Sequence, residues 1–378
     1  MSAQSPLHAL HAAGQSIWLD FIDRSLLQGD TLAARLRDDA LTGMTSNPTI
    51  FEKALATGSA YDAQLKAAAA GKSAWELFEL VETDDVRTAC DIFRPVYDAS
   101  GKRDGYVSIE VSPGAAHDAK ATVEEAHRLW KTVDRPNVMI KVPGTAEGCI
   151  ALEQLIADGL NVNVTLLFAV AAHERVIDAF LAGLERRAAA GQPLDHVASV
   201  ASFFVSRVDS AIDGALAAMV KAGTLSADRA TALQGKAAIA NAKRAYALFR
   251  RKFSGPRWEA LAAKGAQLQR PLWASTSTKN PAYRDTVYVE ELIGPDTVNT
   301  MPPNTLEAYR DHGVTKRTVD ADLATAEATL AELEALGIRL DAVTDQLLAD
   351  GLASFQKSFD TLVAGIEQKT AALAAAGR

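Results

Sequence analysis

The sequence predicts an α/β fold, a closed (β/α)8 barrel with additional helices that include a long C-terminal helical tail. Three observations lead there. Eight short runs rich in Val, Ile and aromatic residues stand along the chain, and amphipathic helical stretches separate them. The central strand–helix units recur at roughly 25 to 35 residues, the repeat of a barrel of about 250 residues plus insertions. Alternation on this spacing joins parallel strands by helical crossovers.

The strands, in order, are Ser16–Phe21, Leu41–Asn47, Tyr106–Val111, Val138–Val142, Leu160–Phe168, Val197–Phe204, Pro271–Ser275 and Val298–Pro302. Turn signals precede several of them, such as Asp134–Asn137 (DRPN) and Ala157–Gly159 (ADG). Helical periodicity fills the intervals, for example Asp118–Lys131, Ala146–Ala157 and Val170–Ala190. Asp118 and Thr145 are placed as N-caps, Gly159 and Gly191 as stops. Two stretches exceed the barrel's needs, a helical insertion at about 209–268 and a helical tail at about 319–378. Neither carries strand signals, so both are read as helices packed on one domain spanning 1–378.

Composition narrows the function. The chain of 378 residues is 48% hydrophobic and 23% charged, the balance of an ordinary globular protein. A net charge of -8 argues against a nucleic-acid partner, which calls for a basic face. It leaves room for a local basic pocket. The longest apolar run, Leu166 to Ala172, is far shorter than the roughly 18 residues of a membrane span, and the N-terminal stretch has no apolar signal core. A soluble cytoplasmic protein is expected. Cys90 and Cys149 form no CxxC motif and read as free thiols in a reducing compartment. The seven histidines are scattered, and no metal site is expected.

Read with period two, the strands separate a polar row from an aliphatic one. Lys141 shares a face with Met139, while Val138, Ile140 and Val142 share the other; Glu110 stands opposite an aliphatic row. Asn161, Asn163 and Thr165 point one way, and Val162, Val164 and Leu166 the other. Asp20 and Asn47 end their runs. In a parallel barrel the aliphatic rows pack against the helices and the polar rows face inward near the C-terminal mouth. Asp20, Asn47, Glu110, Lys141, Asn163 and Thr165 then converge from distant parts of the chain. The competing arrangement is a set of half-exposed antiparallel strands with one wet face.

Lys141 carries the sharpest chemistry. An ammonium enclosed by apolar walls loses hydration, which favours a neutral, nucleophilic amine. Charges on Asp20 and Glu110 would favour the ammonium instead, and the sequence leaves the balance open.

Five segments in this order resemble bacterial transaldolases: Thr45–Phe51 (TSNPTIF), Ser108–Val111 (SIEV), Ile140–Thr145 (IKVPGT), Asn161–Phe168 (NVNVTLLF) and Ala201–Asp209 (ASFFVSRVD). The resemblance covers about residues 15 to 315. It implies a metal-free class I enzyme, without cofactor, that moves a dihydroxyacetone unit between ketose and aldose phosphates in the pentose phosphate pathway. On this resemblance Lys141 forms the Schiff base. Glu110 and Thr165 hold the catalytic water and relay protons, and Asp20 takes the proton of the C4 hydroxyl. Asn47 and Asn163 bind hydroxyls of the retained fragment, while Ser202 and Arg207 match the phosphate side and Phe204 the aromatic side of the pocket. Many smaller relatives carry an arginine after the seventh strand; here Lys279 is matched, with Ser275 in support.

Other signals give way. Gly71-Lys72-Ser73 imitates a P-loop end, but Lys66 stands where glycine is required, so a helix start is read instead. Gly144 and Gly148 complete no dinucleotide fingerprint. A glycosidase built on Asp20 and Glu110 leaves Lys141 without a role. An aldolase on the same scaffold, a sugar-phosphate binding protein and a pyridoxal-phosphate enzyme are the rival readings, to be separated by product analysis, imine trapping and cofactor absorbance. Sugar phosphates are the expected partners. Oligomeric state stays open between monomer and homodimer.

Overall fold

A computed structural model describes residues 5–56 and 58–376. Eight strands close into an all-parallel barrel in sequence order: β1 Gln15–Asp20, β2 Leu41–Thr45, β3 Tyr106–Glu110, β4 Val138–Pro143, β5 Val162–Leu167, β6 Ser199–Phe204, β7 Gln269–Ala274 and β8 Thr297–Met301. All eight expected strands form, and the antiparallel alternative is excluded. The aliphatic rows are buried, with Val138, Ile140, Val142, Val162 and Val164 fully covered by the helical layer. Burial on this scale is the main stabilising term of such a fold.

The helix ends follow the local chemistry. Asp118 accepts a hydrogen bond from Ala121 N and Thr145 from Gly148 N, so both cap helices as expected. Gly159 closes the second of these with φ at 94°, a left-handed turn that side chains resist. Ser73 opens the helix Ala74–Ala99 through a reciprocal capping box with Glu76, which explains the P-loop imitation.

The structure corrects two readings of the strands. β7 begins at Gln269, ahead of Pro271, because side chains anchor the residues before the proline. Gln269 donates to Ser199 Oγ at 2.9 Å, and Arg270 donates to Ser16 Oγ at 2.6 Å and to Arg103 O at 2.8 Å. In the fifth segment the period-two alternation fails at both ends. Asn161 precedes β5 and stitches the barrel base, donating to Pro136 O and Val138 O and accepting from Ala198 N. Leu166 has φ at 61°, and the register with β6 shifts between Val164 and Leu167. The strand therefore turns out of line just after Thr165.

The N-terminal end of the barrel is closed by a buried polar network centred on Asp104. It accepts from Trp18 Nε1 at 2.7 Å and from Ser16 Oγ, with Arg270 at 3.6 Å. Gly43 makes room for that indole: a Cβ there would lie 2.5 Å from the Trp18 ring.

The stretch expected as a helical insertion holds four helices, Ser206–Lys221, Ala227–Leu233, Ala237–Lys252 and Pro256–Ala262. The tail holds Leu323–Ala335 and a 37-residue helix, Leu340–Ala376. Cys90 and Cys149 are both free thiols. Among the described residues no helix is long and apolar enough to cross a membrane.

Candidate active site

The C-terminal ends of the strands surround a cavity of about 250 Å³. Seven strands line it: Asp20 from β1, Thr45 from β2, Lys141 from β4, Thr165 from β5, Ser202 and Phe204 from β6, Ala274 from β7 and Thr300 from β8. The eighth, β3, stands behind the lining and supplies Glu110, which accepts from Lys141.

Barrel register makes the central row. Glu110 is the register partner of Lys141, and Lys141 of Asn163, so three polar side chains project from adjacent strands at one level. Lys141 is only 5% exposed. Its Nζ donates to Glu110 Oε2 at 3.2 Å and to Ser46 O at 3.0 Å, which fixes the amine at the cavity floor. Burial raises the Glu110 carboxyl above its ordinary range; the charge and hydrogen bond of Lys141 oppose that, and the charge of Asp20 adds to it.

Asp20 accepts from Thr45 Oγ1 at 2.8 Å, and Thr45 in turn meets Thr300 Oγ1 at 2.6 Å. Its carboxyl is also raised, first by burial, against the opposing charge of Lys141, the Thr45 hydrogen bond and the charges of Arg207 and Lys279. Thr165 Oγ1 is buried without a protein partner while its residue lines the cavity, which leaves its hydroxyl for substrate or water.

The amides differ in placement. Asn47 lines the cavity but spends Oδ1 on Ile50 N at 3.1 Å, at the start of the helix Pro48–Ala56. Asn163 is fully buried and lies outside the cavity lining. It donates to Ser108 Oγ at 3.0 Å and accepts from Ser202 Oγ at 2.7 Å. Asn163 retains one donor and one acceptor capacity, and Asn47 retains both of its Nδ2 donors and one acceptor capacity.

Cations gather at the outer end. Arg207 stands in the first turn of Ser206–Lys221 with its guanidinium 5.3 Å from the centre of the Phe204 ring, and no salt bridge engages it among the described residues. Lys279 reaches the same cavity and donates to Ser277 Oγ at 2.6 Å. Burial lowers its proton affinity first, the charge of Arg207 next; Asp20 opposes this and Lys53 contributes to it. Ser275 has φ at 56° and holds Ser206 Oγ at 3.0 Å, joining the β7 end to the helix that carries Arg207. A positive rim over a buried floor suits an anionic substrate group.

Several contributors escaped sequence reasoning. Lys53, Thr45 and Thr300 line the cavity, as do Ser354 and Phe355 from the tail helix. Glu82, on Ala74–Ala99, is 4% exposed. Burial, then the charges of Glu110, Glu79, Glu125 and Asp85, push its carboxyl well above the ordinary range. Its signal was an acidic residue on the apolar stripe Phe78, Glu82, Val86. No group of three or more His, Cys, Asp or Glu among the described residues is placed to hold a metal ion.

Comparison with known proteins gives a concordant result. The family model described as Transaldolase/Fructose-6-phosphate aldolase matches residues 17–366, which takes in most of the tail helix. A transaldolase of Parafrankia sp. (strain EAN1pec) is 50% identical over 366 residues, covering 96% of this chain and 98% of the relative. One from Acidothermus cellulolyticus is 51% identical over 363 residues, with 96% of each chain covered. The Nostoc sp. protein called transaldolase 2 is 48% identical, covering 94% of this chain and 95% of its own. With a buried lysine set among carboxylates at the mouth of a closed parallel barrel, and with matches across nearly all its length, the chain belongs to the transaldolase/fructose-6-phosphate aldolase family.

Proposed function

We propose that the protein is a transaldolase, transferring a dihydroxyacetone unit from sedoheptulose 7-phosphate to glyceraldehyde 3-phosphate, giving erythrose 4-phosphate and fructose 6-phosphate. One observation carries the reading: the Lys141 amine is enclosed 3.2 Å from Glu110 and opens onto the cavity that Asp20 and Thr165 also line.

The chemistry follows from those positions. Lys141 attacks the C2 carbonyl of the ketose and loses water to give an imine, with Glu110 and Thr165 moving protons and holding the water. Asp20 takes the C4 hydroxyl proton, the C3–C4 electron pair flows into the imine, and the aldose phosphate departs. The three-carbon enamine stays on Lys141 until C3 attacks the next aldehyde, and the steps reverse. Asn47 orients hydroxyls of the retained fragment, and Phe204 forms an apolar wall. Asn163 acts from behind the cavity wall through Ser202, whose hydroxyl donates to it at 2.7 Å. Arg207 and Lys279, with Ser275 between the elements that carry them, hold the phosphate. Phosphorylated sugars do not cross membranes unaided, which puts the reaction in the cytoplasm, in the non-oxidative pentose phosphate pathway.

Product analysis tests this. Fructose 6-phosphate with erythrose 4-phosphate is expected to yield sedoheptulose 7-phosphate and glyceraldehyde 3-phosphate, with turnover stalling when the acceptor is omitted. Steady release of dihydroxyacetone without acceptor would make the protein an aldolase instead. At the phosphate end, Arg207→Ala is expected to raise KM for fructose 6-phosphate by about 10- to 100-fold, the scale of a lost charged hydrogen bond. Steady-state kinetics against unphosphorylated fructose, whose KM should move little, provides the control.

A further inference from the structure

The helix Leu340–Ala376 does more than cover apolar surface. Gly351, Phe355, Ser358, Leu362, Ile366 and Lys369 fall at spacings of three and four, so they share one face. That face looks onto the barrel. At Gly351 the helix passes so close to β5 that a Cβ would lie 3.0 Å from Leu166 Cδ2, one residue beyond Thr165. Ser358 Oγ meets Thr49 Oγ1 at 2.8 Å, and Lys369 is tied to Asp62 at 2.9 Å and to Leu55 O at 3.0 Å. Between Gly351 and Ser358, Phe355 lines the catalytic cavity while only 9% exposed. An aromatic ring at an active-site wall, supplied by an element outside the barrel, excludes water without offering a hydrogen bond.

We propose that Phe355 determines specificity by setting how the lysine-bound three-carbon fragment divides between transfer to an aldehyde and release by water. The inference rests on the transfer reading above. Transfer forms a C–C bond from C3 of the enamine to the acceptor carbonyl. Release instead places a proton on C3 and adds water at C2; the C2–N bond breaks, Lys141 leaves as the amine, and dihydroxyacetone departs. Both branches end with hydrolysis of an imine on Lys141, but only release requires C3 of the enamine to take a proton before an aldehyde arrives. By keeping water from C3, the wall formed by Phe355 favours transfer.

The test compares the ratio of free dihydroxyacetone to transferred product, with fructose 6-phosphate as donor and erythrose 4-phosphate as acceptor. Phe355→Ala is expected to raise that ratio by about tenfold, and Phe355→Leu, which keeps an apolar wall, to stay within about twofold of the parent. Where the alanine variant fails to fold, Phe355→Val carries the same comparison. A residue that merely anchors the helix would lower the melting temperature and the overall rate but leave the ratio alone. An unchanged ratio in a variant that still forms the borohydride-reduced adduct on Lys141 overturns the inference while the transfer reading stands. No adduct in the parent protein would overturn both.

Discussion

Replacing Lys141 by methionine is expected to reduce transfer by roughly 10⁴-fold or more, the scale on which removal of a covalent nucleophile acts. Methionine keeps the length of the buried stem and removes the amine. The substitution leaves Glu110 without the group that donates to it at 3.2 Å. Orphaning a buried charge usually costs stability. Here burial already raises the Glu110 carboxyl, so it can take up a proton and become neutral. The variant is therefore expected to fold, and its far-ultraviolet circular dichroism should match the parent while rate assays show the loss. A variant that folds and retains more than about a tenth of parental activity would be incompatible with covalent catalysis at this residue.

Asp20→Asn is expected to have the second largest effect, lowering kcat by about 10²- to 10⁴-fold, the range for loss of a positioned general base. The signature is where the reaction stops. Imine formation depends on Lys141 and should continue, so borohydride still traps an adduct, while C3–C4 cleavage is lost. The pH dependence follows from the raised carboxyl. In the folded protein Asp20 holds its proton above the ordinary value of 3.8, so the base form appears at higher pH and the acid limb of kcat in the parent lies above that value. The sign for stability is opposite to that of a salt-bridged aspartate. As pH rises the unfolded chain releases this proton first, so an ionised Asp20 costs stability at neutral pH. Asparagine can still accept from Thr45 and carries no charge, so thermal melting at neutral pH should show a variant no less stable than the parent. A marked fall in melting temperature would contradict this account of Asp20.

The barrel was legible because parallel strands buried on one side by helices and lined on the other by the site leave a period-two signature. Glu110, Lys141 and Thr165 stood out as polar residues in strands otherwise aliphatic on the opposite face, and register brought the first two together. Strand ends were less legible, since side-chain anchors decide them. Gln269 and Arg270 hold β7 open past a proline, and a left-handed Leu166 ends the alternation of β5. Long-range partners were hidden for a different reason. Phe355 stands about 190 residues after Thr165 in an alanine-rich helix, and nothing in its local pattern says that this face covers the mouth. Lys53 was likewise unreadable, one lysine among many until the fold placed it beside the cavity.

The most direct measurement is mass spectrometry of peptides from protein reduced with borohydride in the presence of fructose 6-phosphate. A mass increase corresponding to one reduced dihydroxyacetone unit, confined to the peptide bearing Lys141, is the predicted result. Labelling of a different lysine, such as Lys279 at the rim, or no labelling under conditions that sustain turnover, would contradict it.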